Sequence, residues 1–515
     1  MPKRILATCV LACALALPAL PILPTASADA GTTFHFYGAG YGHGVGMSAY
    51  GVWGMAQDGW SVGGILHHFY RGVRIAKANE PAYIRVGLVQ SAGSIPIKAV
   101  SGKVQLRLND PNAGTLVSTI PSGQTYTVVV RSGRFWVKRP NGSYVGGRGW
   151  GGAAGQRLYA RFAAIGSMIY LPQRANTFNR GHLELNLYHP CSGCTKLRAI
   201  LQLGTESYVQ GVGEEPSSRP MTMLKVFAIA ARTYVTYKVR AVGQHRFGCN
   251  CGIWYVGEQF YLGYRGAGDR WATAASQTAG QMILYKGTPI VAAYSASDGG
   301  YTASSAEEWN WSVPYLQSVC DPGDYLSANG NRTWTVTLSQ SAVSKKIGGY
   351  FDRGIGTVKS FQVLGRSRSG RIGSLRVVGS KGSFTTSGVL FAAALGLKTA
   401  LVYINHNRLI TGDVRAKYDR LMCAPGLPVS GVASPSGGHL QRFQHGTIYV
   451  DEVHGHSTWL RGLVLSKYGS MNGPSGRLGW PKTGVVSKGA SRTAAFVHGS
   501  ITCSTKTGHC FSHVS

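Results

Sequence analysis

Acidic residues are scarce in this chain. Asp and Glu number 20 among 515 residues, against 52 Lys and Arg, a formal net charge of +32. So few carboxylates can be weighed one by one, and a field of this sign favours a polyanionic partner. A compact basic stripe interleaved with aromatics is also lacking, because the positive charges are dispersed along the chain. That excludes sequence-reading of DNA or RNA, so no nucleic acid is expected as a partner. Long apolar runs are missing after residue 24: no later segment approaches the ~18 apolar residues of a membrane helix. Helical periodicity is sparse, while Gly (71 residues), Tyr and Trp are plentiful, which predicts strands and tight turns.

The N-terminus predicts the compartment. Lys3 and Arg4 precede an apolar run over 5–23 broken by Pro18 and Pro21, and Pro24 and Thr25-Ala26-Ser27-Ala28-Asp29-Ala30 follow. Small residues here fit a signal peptide of residues 1–28, cut after Ala28, better than a membrane anchor. Removing Lys3 and Arg4 leaves 50 basic against 20 acidic residues, a net of +30. For a secreted, extracellular protein, the expected polyanions are anionic cell-wall polymers or lipid headgroups. Cys9 and Cys13 leave with the signal, and eight cysteines remain. An even number in an exported chain predicts disulfides, although eight cysteines allow 105 pairings. Cys191–Cys194 and Cys503–Cys510 are the local pairs the spacing favours. His245, Cys249 and Cys251 invite a zinc reading, but His-x3-Cys-x-Cys is a poor tetrahedral set with no evident fourth ligand. No metal and no cofactor are expected.

Along the chain, 31–75 is a Gly- and aromatic-rich block. Residues 80–180 alternate apolar and polar in runs such as Tyr126-Thr127-Val128-Val129-Val130 and Phe135-Trp136-Val137, with turns such as Asn141-Gly142 between them. The best helix lies within 196–240: Pro220 suits its first turn, Ser217 or Ser218 its cap, and Leu224, Phe227, Ala228 and Ala231 form one face. Strands and turns are expected over 283–320, strands at 333–338, 358–364 and 375–378, and a helix at 390–397. Residues 424–515 repeat. Gly426-Leu427-Pro428 and Phe443-Gln444-His445-Gly446 recur 53 residues later as Gly479-Trp480-Pro481 and Phe496-Val497-His498-Gly499. Such repeats make interaction modules, with a linker expected near 405–425.

Most acids stand alone in loops, but Glu214-Glu215 sit together in a Gly/Pro-rich turn just ahead of the helix. A carboxylate there is favoured by the helix N–H groups, which by itself calls for no chemistry.

These residues belong to a longer pattern. Tyr208, Gly211, Val212, Glu214, Pro216, Ser218 and Pro220, then Leu224-Lys225 and Ala228-Ile229-Ala230-Ala231-Arg232-Thr233-Tyr234, resemble the core motif of the SpoIID/LytB family of sporulation protein D and amidase-enhancer proteins. Gln259-Phe260-Tyr261-Leu262-Gly263, Thr278-Ala279-Gly280 with Ile283, Tyr294-Ser295-Ala296-Ser297-Asp298-Gly299-Gly300-Tyr301-Thr302, and Pro314-Tyr315-Leu316-Gln317-Ser318-Val319 continue it in order. The opening Gly40-Tyr41-Gly42-His43-Gly44-Val45-Gly46-Met47-Ser48 is similar to a block that ends the domain in many members, so the layout looks permuted. The repeats resemble LGFP repeats, with Leu478-Gly479-Trp480-Pro481 at the Leu-Gly-Phe-Pro position. The expected fold is α+β: a β-rich SpoIID-like domain with few helices over 29–403 (opening block 31–75, strand-rich region 80–180, core 181–403), then a small β-rich cell-wall-binding module over 424–515.

The resemblance implies a peptidoglycan lytic transglycosylase. Glu214 is its general acid and then base, and no second carboxylate is needed because the sugar's own C6 hydroxyl is the nucleophile, whereas hydrolases usually need a second. Arg232, Tyr294, Ser297, Gln259 and His43 are the expected substrate-binding residues, and peptidoglycan glycan strands the substrate. The alternative is a non-catalytic wall-binding protein that stimulates a wall amidase. A third reading is a two-carboxylate hydrolase with Glu206 or Asp298 as the second acid. Two positions depart from the pattern: Glu215 stands where members carry an apolar residue, and Ala49 where they carry Gln.

Overall fold

The computed structural model describes residues 32–152, 155–246, 248–326 and 328–515. The expected signal peptide, with Cys9 and Cys13, lies outside them. The chain divides into two compact units: Val73–Ala292, and a second whose described residues are 32–72 and 293–515. Both mix strands with fewer helices, and the fold is α+β and β-rich. No described helix is long and apolar enough to cross a membrane.

The first unit holds a seven-stranded sheet in the order Ile253–Trp254, Ile84–Ala92, Lys196–Leu203, His182–Tyr188, Arg157–Phe162, Val104–Leu108, Thr115–Ile120. Every pair is antiparallel except the first. Leu197, Ala199, Leu201 and Leu203 are buried at period two, as alternation in sequence chooses an inner face, and Ile200 on the other face is buried as well. A five-stranded antiparallel sheet contains Ser94–Ser101, Thr125–Arg131 and Arg134–Lys138, the last two covering the alternating runs read from sequence. The helix Met221–Val242 packs against the helix Arg270–Gln277 and the strand Gln281–Tyr285. Leu224, Phe227, Ala228 and Ala231 are buried as the periodicity predicts, but so are Val226, Ile229 and Ala230, so the helix is enclosed nearly all round. Each large apolar side chain so buried is worth about 1.5–3 kcal/mol. Pro220 stands at its N-cap, and neither Ser217 nor Ser218 caps it. Thr233 Oγ1 ties helix to strand by donating to the Ile229 carbonyl (2.7 Å) and accepting from the Ile283 amide (2.9 Å).

In the second unit, Thr33–Gly38 is the central strand between Trp334–Ser339 and Val402–Ile404. A second sheet, Val358–Arg366, Ile372–Gly379 and Gly382–Ser387, closes with the helices Gln340–Phe351 and Gly388–Leu395 over a core that includes Phe34, Phe36, Ile347, Val377 and Phe391. The opening block is stitched to the segment near 300. Met47–Ser48 pairs in parallel with Tyr294–Ser295, and bridges join Tyr41 to Ser297 and Val45 to Ala303.

The last part of this unit is a tandem of helix, turn and hairpin. Residues 405–425, expected as a linker, contain the helix Gly412–Arg420, whose Val414 and Tyr418 pack with Phe443, Ile448 and Val450 of the first hairpin. The helix Gly462–Ser470 repeats it with Val464 and Tyr468. Tyr418 Oη donates to the Gly426 carbonyl (3.0 Å) and Tyr468 Oη to that of Gly479 (2.7 Å). A buried tyrosine thus holds each Gly-x-Pro turn, and the structural repeat begins a helix earlier than the sequence match.

The eight described cysteines form four disulfides: Cys191–Cys194, Cys249–Cys251, Cys320–Cys423 and Cys503–Cys510. Two are the pairs the spacing favours. Cys249 and Cys251 are bonded to each other, and His245 Nδ1 faces Asn250 Oδ1 at 2.8 Å.

Candidate functional site

Glu214 and Glu215 lie in the loop between the helices Thr205–Gln210 and Met221–Val242. Glycines let this loop meet the segment 260–263 closely. The Gly211 carbonyl accepts from the Leu262 and Gly263 amides (2.8 and 3.2 Å), and a Cβ at Gly211 would come within 2.6 Å of the Tyr261 ring. The Gly213 amide donates to the Phe260 carbonyl (2.7 Å), and the Phe260 amide donates to Glu214 Oε1 (2.7 Å). Glu214 is therefore tied to this segment through Oε1 and is only partly buried.

A residue unnoticed in the sequence holds the loop from behind. Arg265 donates to the carbonyls of Val212 (3.0 Å) and Glu215 (3.2 Å), to Ser217 Oγ (2.8 Å) and to Asp269 Oδ1 (3.0 Å). Five fixed donors on one planar group suit this clamp. Its signal was a lone Arg just after the Gln-Phe-Tyr-Leu-Gly-Tyr run, which spacing alone does not distinguish from a surface cation.

The two adjacent acids differ. Glu215 is buried (6% exposed) and faces Arg219 at 3.5 Å. Burial pushes its carboxyl up to about 7, Arg219 opposes the shift, and the charge of Glu214 adds to it. Below the loop, Tyr208 is fully buried and donates to Gln259 Oε1 (2.7 Å). Gln259 Nε2 donates to the Ala231 carbonyl (3.2 Å). A cleft of about 160 Å³ in this unit is lined by Phe178, Arg180, Gln210, Tyr261, Tyr264 and Arg265, and Glu214 is not among its walls.

Of the expected substrate-binding residues, three are enclosed. Arg232 is 0% exposed and grips Glu206 through two bonds of 2.7 Å, with a third to the Ala275 carbonyl (2.9 Å). Gln259 is 1% exposed in the chain just described. Ser297 is 0% exposed, donates to Asp324 Oδ2 (2.7 Å) and accepts from Asn329 Nδ2 (3.1 Å). In this structure the polar atoms of all three bond to other protein groups, and none of the three is exposed. The second acids weighed for a hydrolase differ from each other. Glu206 is held below the carboxylate range by Arg232 although burial works against it, and Asp298 is fully buried.

His43 and Tyr294 are only partly buried and belong to the second unit. Burial, then the charge of Arg371, lowers the His43 imidazole to about 4 despite a hydrogen bond with the Tyr294 backbone. It is neutral at pH 7, with Nδ1 accepting from the Val45 amide (2.9 Å). Its ring lies 5.3 Å from that of Trp309, which stacks with the exposed Trp311 at 5.6 Å. This aromatic shelf beside the Gly-His-Gly turn also escaped the sequence reading.

Comparison with known proteins identifies the segment that carries the Glu214 loop. Residues 194–285 match the SpoIID family, described as stage II sporulation protein, and that span includes the Glu214 loop, the buried helix and Arg265. Residues 426–476 match the LGFP repeat. The chain thus carries a SpoIID domain and an LGFP repeat, as its motifs indicate. Similar proteins include an amidase enhancer of Bacillus subtilis, 36% identical over 133 residues, which are 26% of this chain and 17% of that protein. Stage II sporulation protein D of the same organism is 26% identical over 162 residues, 28% of this chain and 47% of the relative. An uncharacterized protein of Brachyspira hyodysenteriae is 32% identical over 154 residues, 29% and 40% of the two chains. The matched region spans half or less of each relative. These likenesses support a role connected with the cell wall.

Proposed function

We propose that this protein is an exported peptidoglycan lytic transglycosylase that acts at the wall with Glu214 as its single acid–base residue. The observation that carries the reading is the position of Glu214. It is a partly accessible carboxylate within the SpoIID match, held by the Phe260 amide on a loop that Arg265 clamps from behind. Protonated Glu214 donates to the glycosidic oxygen as the bond to the N-acetylmuramyl carbon breaks. The carboxylate then takes the proton of the sugar's C6 hydroxyl, and that oxygen closes the 1,6-anhydro ring. The acid is regenerated, so a second carboxylate is not required, in contrast to hydrolysis. The dispersed positive charge and the LGFP repeat fit anionic wall polymers as a further partner.

A second reading has its own support: one relative is named an amidase enhancer, and Glu215 departs from the family pattern. On that reading the protein binds the wall and stimulates an amidase without cutting glycan. Purified glycan strands incubated with wild type and Glu214→Gln separate the two. Release of 1,6-anhydro-muramyl products by wild type and a loss of at least a hundredfold in the variant is expected. If wild type releases none, yet raises the rate of an added wall amidase, the transglycosylase reading is wrong.

A further inference from the structure

The second unit contains three carboxylates whose burial neither the proposed activity nor the family match explains. Asp298, Asp321 and Asp324 are each 0% exposed, and one oxygen from each lies within 4.8 Å of the others. Asp321 accepts from Ser48 Oγ (2.5 Å) and the Gly323 amide (3.1 Å), and a Cβ at Gly51, in the first turn of the helix Ala49–Gln57, would stand 1.9 Å from its Oδ2. Asp324 Oδ2 accepts from Ser297 Oγ (2.7 Å) and the Gly299 amide (2.9 Å). Asp298 Oδ1 accepts from the Gly300 amide (2.7 Å). The remaining oxygens, Asp298 Oδ2 and Asp324 Oδ1, are buried and accept no hydrogen bond from any described residue.

Buried charge of this density demands a counter-charge. The neighbouring guanidiniums direct their bonds elsewhere. Arg371 donates to the backbone carbonyls of Asp298 (2.8 Å) and Tyr301 (2.9 Å), and Arg415 pairs with Asp419. With protein groups alone, burial pushes all three carboxyls up, and repulsion adds to it at Asp298 and Asp321, while the charges of Arg371 and Arg415 oppose it at Asp298 and Asp324.

We propose that Asp298, Asp321 and Asp324 bind one Ca2+ ion, which joins the opening block, through Ser48, to the segments around 298 and 321–324. An oxygen-only donor set selects hard cations and disfavours zinc or copper. Calcium accepts an all-protein cage, whereas Mg2+ keeps several waters that a closed site has little room for. Oxygens within 4.8 Å of one another can share one ion, since two Ca–O bonds of roughly 2.4 Å span that distance. Asp324 Oδ1 and the Asp298 carboxyl, which meets that of Asp321, are the acceptors such an ion would satisfy.

The test uses the full chain, stripped with a chelator and dialysed, with no assay of activity, so its outcome is independent of the role given to Glu214. Elemental analysis after reloading with Ca2+ is expected to find one ion per chain. Saturating Ca2+ is expected to raise Tm by roughly 5 °C over the stripped protein, and Asp324→Asn or Asp298→Asn to abolish both. Should those variants fail to fold, the wild-type stoichiometry and Tm shift decide. Less than a tenth of an equivalent of Ca2+ on wild type, with Tm unchanged, overturns the site and leaves the carboxyls sharing protons. Retention of Mg2+ or Mn2+ in preference to Ca2+ overturns the choice of ion.

Discussion

Glu214 and Glu215 show how two identical side chains in sequence acquire different chemistry. One is partly buried and accepts from the Phe260 amide, while the other turns inward against Arg219. Because burial raises the Glu215 carboxyl from its ordinary value near 4.5 to about 7, its ionisation opposes folding. That contribution to stability is fully present below about pH 4.5 and is lost as pH rises through 7. Glu215→Gln removes the titration. Relative to wild type, the variant is expected to gain on the order of 1–3 kcal/mol between pH 5 and pH 8. Urea unfolding at the two pH values measures it, and an equal difference at both would show that Glu215 does not titrate in this window. Arg232 is the opposite case, a motif residue with a structural task. Arg232→Met leaves Glu206 facing Glu80 without its partner and is expected to cost about 3–5 kcal/mol. Glycan affinity per folded molecule should not change; lost affinity with intact stability would return Arg232 to the substrate.

At the scale of elements, the Glu214 loop is built from backbone contacts that Arg265 completes. Arg265→Ala frees the Val212 and Glu215 carbonyls at once. On the transglycosylase reading, kcat should fall roughly ten- to a hundredfold with KM little changed, since a loosened acid loses its alignment before the substrate loses its contacts. Arg270→Ala, which removes a bond to the Ser217 carbonyl alone, is the comparison; equal losses in both variants would deny Arg265 a special role. The same scale explains the unread repeat helix. The helices Gly412–Arg420 and Gly462–Ser470 share only Gly, Val, Lys and Tyr at matched positions, so the more alike turns and hairpins dominated the sequence comparison. Their equivalence becomes plain once each tyrosine is seen to hold its Gly-x-Pro turn.

At the scale of the molecule, one covalent link ties the last module to the rest of its unit. Cys320–Cys423 joins residues 103 apart, whereas Cys191–Cys194 joins residues 3 apart. Closing a loop of ~100 residues removes about 4.7 kcal/mol of chain entropy from the unfolded state, and a loop under 15 residues less than about 3. Replacing Cys320 and Cys423 together by Ala should therefore lower Tm distinctly more than replacing Cys191 and Cys194. Comparable losses by calorimetry would argue that native packing, such as that of Cys423 beside Tyr418, outweighs loop closure. High salt is expected to release the protein from anionic polymer, because a net charge of +32 acts through a screened field.

By itself the sequence indicated the periodic elements, the SpoIID and LGFP segments, two of the three local disulfides and the Glu214 loop. Each of these rests on residues close together in the chain, where spacing is geometry. Only the tertiary structure decided what lies across long separations. It enclosed Arg232, Gln259 and Ser297, set Arg265 behind the loop, paired Cys320 with Cys423, and gathered Asp298, Asp321 and Asp324 beside Ser48. Burial and partnership depend on chain segments tens to hundreds of residues apart, and a motif records that a polar side chain is present without recording whether it faces a ligand or the protein's own interior.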